Sequence, residues 1–227
     1  MKISYRFTFE NGTKKDFVIH LDAETLSIIP SVDHARPEWT RLSHHRCQGC
    51  RFEENAVRYC PIAVNISDVI NFFRSCSSHD RVEVLVATEE RFYGKKTTVQ
   101  RALGSLLGVY MAASGCPSME KLKPMVRFHL PFATVEETVF RSAATYLVGQ
   151  YFLRKQGKPS DLDLVELADM YKGIQKVNRG IWERIQGVVA KDAANNAVIC
   201  LDMLAKELPY AIEDKLAELE KLFGAYG

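Results

Sequence analysis

The stretch His44–Pro61, HHRCQGCRFEENAVRYCP, gathers three cysteines, two histidines and a proline into one short segment. Cys47-Gln48-Gly49-Cys50 is a C-x-x-C pair. Two residues between thiols let one tight turn aim both sulfurs at a common point, and Gly49 supplies the permissive backbone. Cys60 and Pro61 follow, and a second Cys-Pro pair stands far along the chain at Cys116-Pro117. A proline after each cysteine turns the chain and leaves the sulfur at a corner. The expected site is therefore Cys47, Cys50, Cys60 and Cys116, a clip between the two halves of the chain. His44 or His45 is the second choice for the fourth ligand, and His129 the third.

All-thiolate tetrahedral sites suit zinc or an iron–sulfur cluster. The irregular spacing around a single C-x-x-C favours structural zinc, and the Cys-Pro pairs favour iron. The ordinary alternative is partly buried thiols, or a redox disulfide between Cys47 and Cys50. The other two cysteines read as structural: Cys200 within AVICLDM as core, and Cys76 at a helix end.

The surrounding chain sets the compartment in which those thiols sit. The N-terminus, MKISYRFTFENG, alternates polar and apolar residues and has no apolar run of signal-peptide length. The longest uncharged run, Ala102–Pro117, is shorter than the roughly 18–20 residues a membrane-spanning helix needs. A cytoplasmic location is expected, where thiols stay reduced and serve metals or reactivity before disulfides. The net charge of +2 over 227 residues predicts no strong attraction to nucleic acid or to anionic membrane.

The fold class expected is α+β. Residues 1–96 read as a mixed strand-and-helix part holding the cysteine segment. Residues 97–227 read as a helical bundle packed against it as one unit. Ile3, Tyr5, Phe7 and Phe9 alternate before Asn11-Gly12, the favoured pair for a hairpin turn. Glu24–Ile29 is a candidate third strand. Val82, Val84 and Val86 mark a further strand, with RFYG as its partner. NISDVINFFRSC reads as a helix capped by Asn65 or Ser67.

Thr97 with Gln100, and Thr134 with Glu137, have capping-box spacing. MVRFHLPFA reads as extended. Leu167, Tyr171, Ile174, Asn178, Ile181, Ile185 and Val188 recur in steps of four and three, a heptad seam with one polar member. The seam packs within the chain or forms a homodimer through the 167–188 helix. Gly173, Gly180 and Gly187 also recur every seven residues and predict a face against which something packs closely. Pro209 is expected to end one helix, with another following.

Two further regions carry candidate chemistry. Arg127, His129, Glu136, Glu137 and Arg141 could build an acid–base or anion site, which would make the chain a hydrolase or transferase. Helix caps and an Arg141–Glu137 pair explain the same residues without catalysis. RFYGKKTTVQR, Arg91–Arg101, is a basic turn entering a helix where an anion could bind. No G-x-S-x-G, G-x-x-x-x-G-K-[ST] or H-E-x-x-H motif occurs.

At CQGC…YCP, SGCP and KPMVRFHLPFATVEET the chain resembles an uncharacterised bacterial family over most of its length. The resemblance implies a bacterial source and carries no activity. The functional expectation is a metal-binding protein with an interaction or regulatory role. An iron–sulfur redox or sensor protein is the alternative.

Overall fold

A computed structural model describes residues 1–30, 36–53 and 55–226. Strand β1 (Lys2–Phe9) turns back on β2 (Lys14–His20), with Gly12 at φ +81° in the turn. Strands β3 (Arg81–Ala87) and β4 (Phe92–Thr98) complete an antiparallel sheet of order β2-β1-β3-β4. The register sets Tyr5 opposite Phe17 and Val86, and Phe7 opposite Val84. Alternation therefore buries Ile3, Tyr5, Phe7, Val82, Val84 and Val86 on one face.

Helix α1 (Pro61–Phe73) covers that face. Phe73 stands 5.0 Å from Phe7, 5.8 Å from Phe17 and 5.0 Å from Phe72 between ring centroids. Helix α2 (Val99–Ala113) enters directly from β4, and the short α3 (Lys123–Arg127) follows. Three long helices then close the structure: α4 (Val135–Lys155), α5 (Val165–Ile185) and α6 (Ala193–Glu220). Buried residues of the sheet, α1, α2, α5 and α6 belong to one continuous core. No helix among the described residues is long and apolar enough to cross a membrane.

The Thr134–Glu137 capping box forms in both directions and opens α4. Thr97 forms no such box. It pairs with Val82 inside β4, and the helix begins after Thr98. The expected third strand at Glu24–Ile29 shrinks to a single bridge, Leu21 to Ile28, because Asp22 captures the backbone N–H groups of Glu24 and Thr25. The expected extended stretch MVRFHLPFA instead begins inside α3. Helix α1 starts a turn earlier than its polar residues suggested, with Pro61 in its first turn, so Asn65 sits inside it. Pro209 lies within α6 rather than ending it.

The α5 seam is filled within the chain. Leu167, Tyr171, Ile174, Asn178, Ile181 and Ile185 are all buried, and Asn178 Nδ2 donates to Leu201 O of α6 at 3.0 Å. The seam from Leu167 to Ile185 is therefore occupied within the chain, the intrachain use of the two expected. The seven-residue repeat had left both uses open, since an intrachain and an interchain seam share one spacing.

Removing Phe73 from the aromatic cluster should cost about 3–5 kcal/mol in urea unfolding. Phe92→Ala, at a side chain 75% exposed, should stay within about 0.5 kcal/mol of wild type.

Candidate functional site

The cysteine segment is tied off at its neck. Leu42 N donates to Arg58 O and Cys60 N to Thr40 O, at 3.0 and 2.9 Å, so the segment leaves and rejoins the core at neighbouring points. Within the loop, Cys50 N donates to Cys47 O at 3.0 Å and Gly49 takes φ +78°, a turn that brings the two cysteines to one side. Cys60 is the cap residue of α1, with Pro61 behind it. Cys116 follows Gly115, whose φ of +86° ends α2, and its N–H donates to Ser114 Oγ at 3.2 Å.

These corners meet. Cys47, Cys50, Cys60 and Cys116 line one cavity of about 180 Å³, together with Gly173, Val177 and Arg184 of α5. All four thiols are free of disulfides. Burial, and then the neighbouring thiols of Cys60 and Cys50, push the Cys47 thiol up to about 12. Burial also raises Cys116, and the same two neighbours add to it. Each buried thiol makes it harder for the next to ionise. Among the described residues, no group of three or more His, Cys, Asp or Glu side chains stands arranged to hold an ion. The thiols wall a cavity instead of closing on one point.

Helix α5 supplies the floor. A Cβ on Gly180 would lie 2.4 Å from Cys47 Sγ and 2.9 Å from Cys47 Cα, closer than side chains tolerate. Of the glycine repeat, Gly180 is the member on which the C-x-x-C turn rests. Its members differ: Gly173 and Gly187 have open space at the same position.

One turn on, Arg184 is 1% exposed. Nη1 donates to Trp39 O and Arg41 O at 2.7 and 2.5 Å, and Nη2 donates to His45 O. Nε is buried with no hydrogen-bond partner among the described residues. Burial lowers the Arg184 pKa, while Cys60, Cys47 and Cys50 favour its charge. A guanidinium taken out of water is costly unless compensated. Three carbonyls solvate this one, and ionised sulfurs beside it would complete the compensation.

Sequence reasoning missed Arg184, yet a signal was present. Gly173, Val177, Gly180, Arg184 and Gly187 form a second four-and-three stripe beside the seam.

The reserve ligands go elsewhere. His44 is exposed, and His45 Nε2 stands 2.9 Å from Glu183 Oε2. His129 Nε2 bonds the Tyr5 hydroxyl at 2.5 Å, and that hydroxyl also bonds Ser105 Oγ at 2.9 Å. Cys200 is exposed instead of core, because the buried stripe of α6 runs through Ala197, Val198 and Ala205. Cys76 is half-buried at the end of α1, away from the cavity.

The Arg127–Arg141 group is also dispersed. Arg127 and Glu136 are exposed, and Glu137 Oε2 accepts from Thr134 N at 2.7 Å. Arg141 Nη2 donates to Met125 O and Phe128 O at 2.9 and 3.0 Å. Arg91–Arg101 is no loop but strand β4 running into α2.

Residues 3–224 match the family described as "Domain of unknown function (DUF6901)", and the chain belongs to it. No curated protein and no solved structure matches the chain.

Two outcomes follow from this geometry. Gly180→Ala should cost about 1–3 kcal/mol in urea unfolding, since the turn at Cys47 must shift. Gly173→Ala, inside α5, should be neutral or stabilise by about 0.5–1 kcal/mol, and Gly187→Ala, in the turn after α5, should stay within about 0.5 kcal/mol of wild type; equal losses at all three would refute the close contact. Burial, with Arg141 adding, holds His129 down at about 4. The unfolded chain binds a proton there near pH 6.5, which the folded chain refuses until about pH 4. Stability should therefore fall across that window as pH drops, and His129→Gln should flatten the fall in urea midpoints measured at pH 7 and pH 5.

Proposed function

We propose that this member of a family of unknown function is a metal-binding protein built on a four-cysteine centre, with an interaction or regulatory role. One observation carries the reading: Cys116, distant in sequence, lines the same cavity as Cys47, Cys50 and Cys60. Arg184 supports it, because a buried cation beside the thiols of Cys60, Cys47 and Cys50 favours their ionised, metal-binding form. The metal is zinc, holding the cysteine loop to α2 and so coupling binding to folding. Exposed Val148, Tyr151 and Phe152 on α4 suit a role in interaction.

An iron–sulfur cluster is the second reading, and the size of the cavity favours it. A lone zinc draws four sulfurs to about 2.3 Å from one centre, whereas a cluster needs room among them, and the cavity these thiols help to line measures about 180 Å³.

Elemental analysis of protein purified without chelator and without oxygen decides between them. About one zinc per chain is expected. A brown protein holding iron and sulfide would overturn zinc, and neither metal at about one equivalent would overturn the centre itself. Cys60→Ser should lose the metal and unfold earlier than wild type, while Cys200→Ser should do neither. A Cys60→Ser protein that keeps its metal and melts like wild type would remove Cys60 from the set. Adding zinc to the metal-free chain at pH 7.5 should release protons, measured by calorimetry in buffers of different ionisation enthalpy, because the Cys47 thiol enters protonated.

A further inference from the structure

Parts of the two regions read separately from the sequence as candidate anion sites line one cavity: Lys95 and Arg101 of the first, His129 and Arg141 of the second. It measures about 580 Å³, within the roughly 300–1,000 Å³ of pockets that bury a small organic ligand. Lys95 and Thr97 of β4, one face of α2, the chain entering α4, and parts of α5 and α6 line it. Much of the wall is apolar, including Met111, Leu122, Val126, Ile174 and Leu204.

Its charge is one-sided. The lining holds Lys95, Arg101 and Arg141, and no aspartate or glutamate among the described residues. The chain as a whole carries 30 basic and 28 acidic residues, so composition alone does not explain that segregation. Lys95 and Arg141 line the same cavity. Glu137 is held in the helix cap, through Thr134 N at 2.7 Å. Arg141 uses only Nη2 for Met125 O and Phe128 O among the described residues, which leaves Nη1 and Nε for a ligand. The first turn of α4, through Thr134 and Val135, adds its positive dipole end to the same wall.

Four neutral polar groups of the lining are already paired. Tyr171 bonds Ser142 at 2.6 Å, Asn178 bonds Leu201 O, and Ser105 and His129 each bond Tyr5. Ser105 and His129 meet through a tyrosine and not directly, which is a hydrogen-bonded chain and not a nucleophile with its base. The cavity is suited to binding, not turnover.

We propose that this cavity binds a small amphipathic carboxylate, its apolar body along the methionine and leucine wall and its carboxylate on Arg141 and Lys95. A planar guanidinium in an apolar wall matches a carboxylate, and the low local dielectric strengthens the pair. The proposal is independent of the cysteine centre.

Calorimetry on the full chain, with decanoate below its micelle concentration, tests it. One decanoate per chain is expected, with decanol and decylammonium at least tenfold weaker and acetate not binding. Arg141→Gln should weaken decanoate tenfold or more and leave decanol unchanged. Because Arg141 also holds two carbonyls, Lys95→Gln, at an exposed side chain, serves as the second variant and should weaken decanoate several-fold with an unchanged melting temperature. Decanol binding as tightly as decanoate, or both variants binding decanoate like wild type, would overturn the proposal. Decyl phosphate binding tenfold tighter than decanoate would overturn the carboxylate assignment.

Discussion

The contact between the Cys47–Cys50 turn and α5 organises the molecule. Cys47 rests where Gly180 has no side chain, and Arg184, one turn on, gathers the carbonyls of Trp39, Arg41 and His45. A segment with almost no regular hydrogen bonding of its own is thereby fixed against a rigid helix. Its neck is closed by the pairing of Thr40 and Leu42 with Cys60 and Arg58. Cys60 also caps α1, which packs on the sheet, so the irregular segment is tied to both layers of the structure. Loops are held by side chains and neighbouring elements when they lack ladders of their own.

A buried arginine usually marks either a carboxylate partner or a set of carbonyls. Arg184 has the carbonyls, and it also faces the thiols of Cys60, Cys47 and Cys50, which favour its charge. Burial, and then the neighbouring thiols of Cys60 and Cys50, push the Cys47 thiol up. Two tendencies oppose at Cys47: burial keeps the proton on its sulfur, and the Arg184 guanidinium favours taking it off. On the metal-binding reading proposed above, a dication entering the cavity would resolve the opposition by replacing the proton.

The sheet was legible because alternation and Asn11-Gly12 are local signals, and the α5 seam because three helical repeats are hard to imitate by chance. Cys116 could be associated with the other cysteines through its Cys-Pro pair. Elsewhere local signals misled. Asn65 and Ser67 are good caps in isolation, yet Pro61 had already started the helix. Pro209 is a helix breaker by propensity, yet α6 continues through it with Leu208 and Ile212 buried on either side. Thr97 and Gln100 have capping-box spacing, but pairing with Val82 takes Thr97 into the strand. Arg184 escaped notice because charge normally signals a solvated face. Only its phase with Gly173, Val177 and Gly180 marks it as interior.

Helix α5 is a partition wall. Val177 faces the cysteine cavity and Asn178 the larger one, although they are adjacent in the chain. A helix cannot turn one of these residues outward without carrying the other along, since both hang from the same rigid backbone. The wall is also pinned on each side, by Cys47 against Gly180 and by Leu201 O against Asn178. Rotation is therefore the one motion the two chambers cannot perform independently: whatever reshapes one of them by turning this helix redraws the outline of the other.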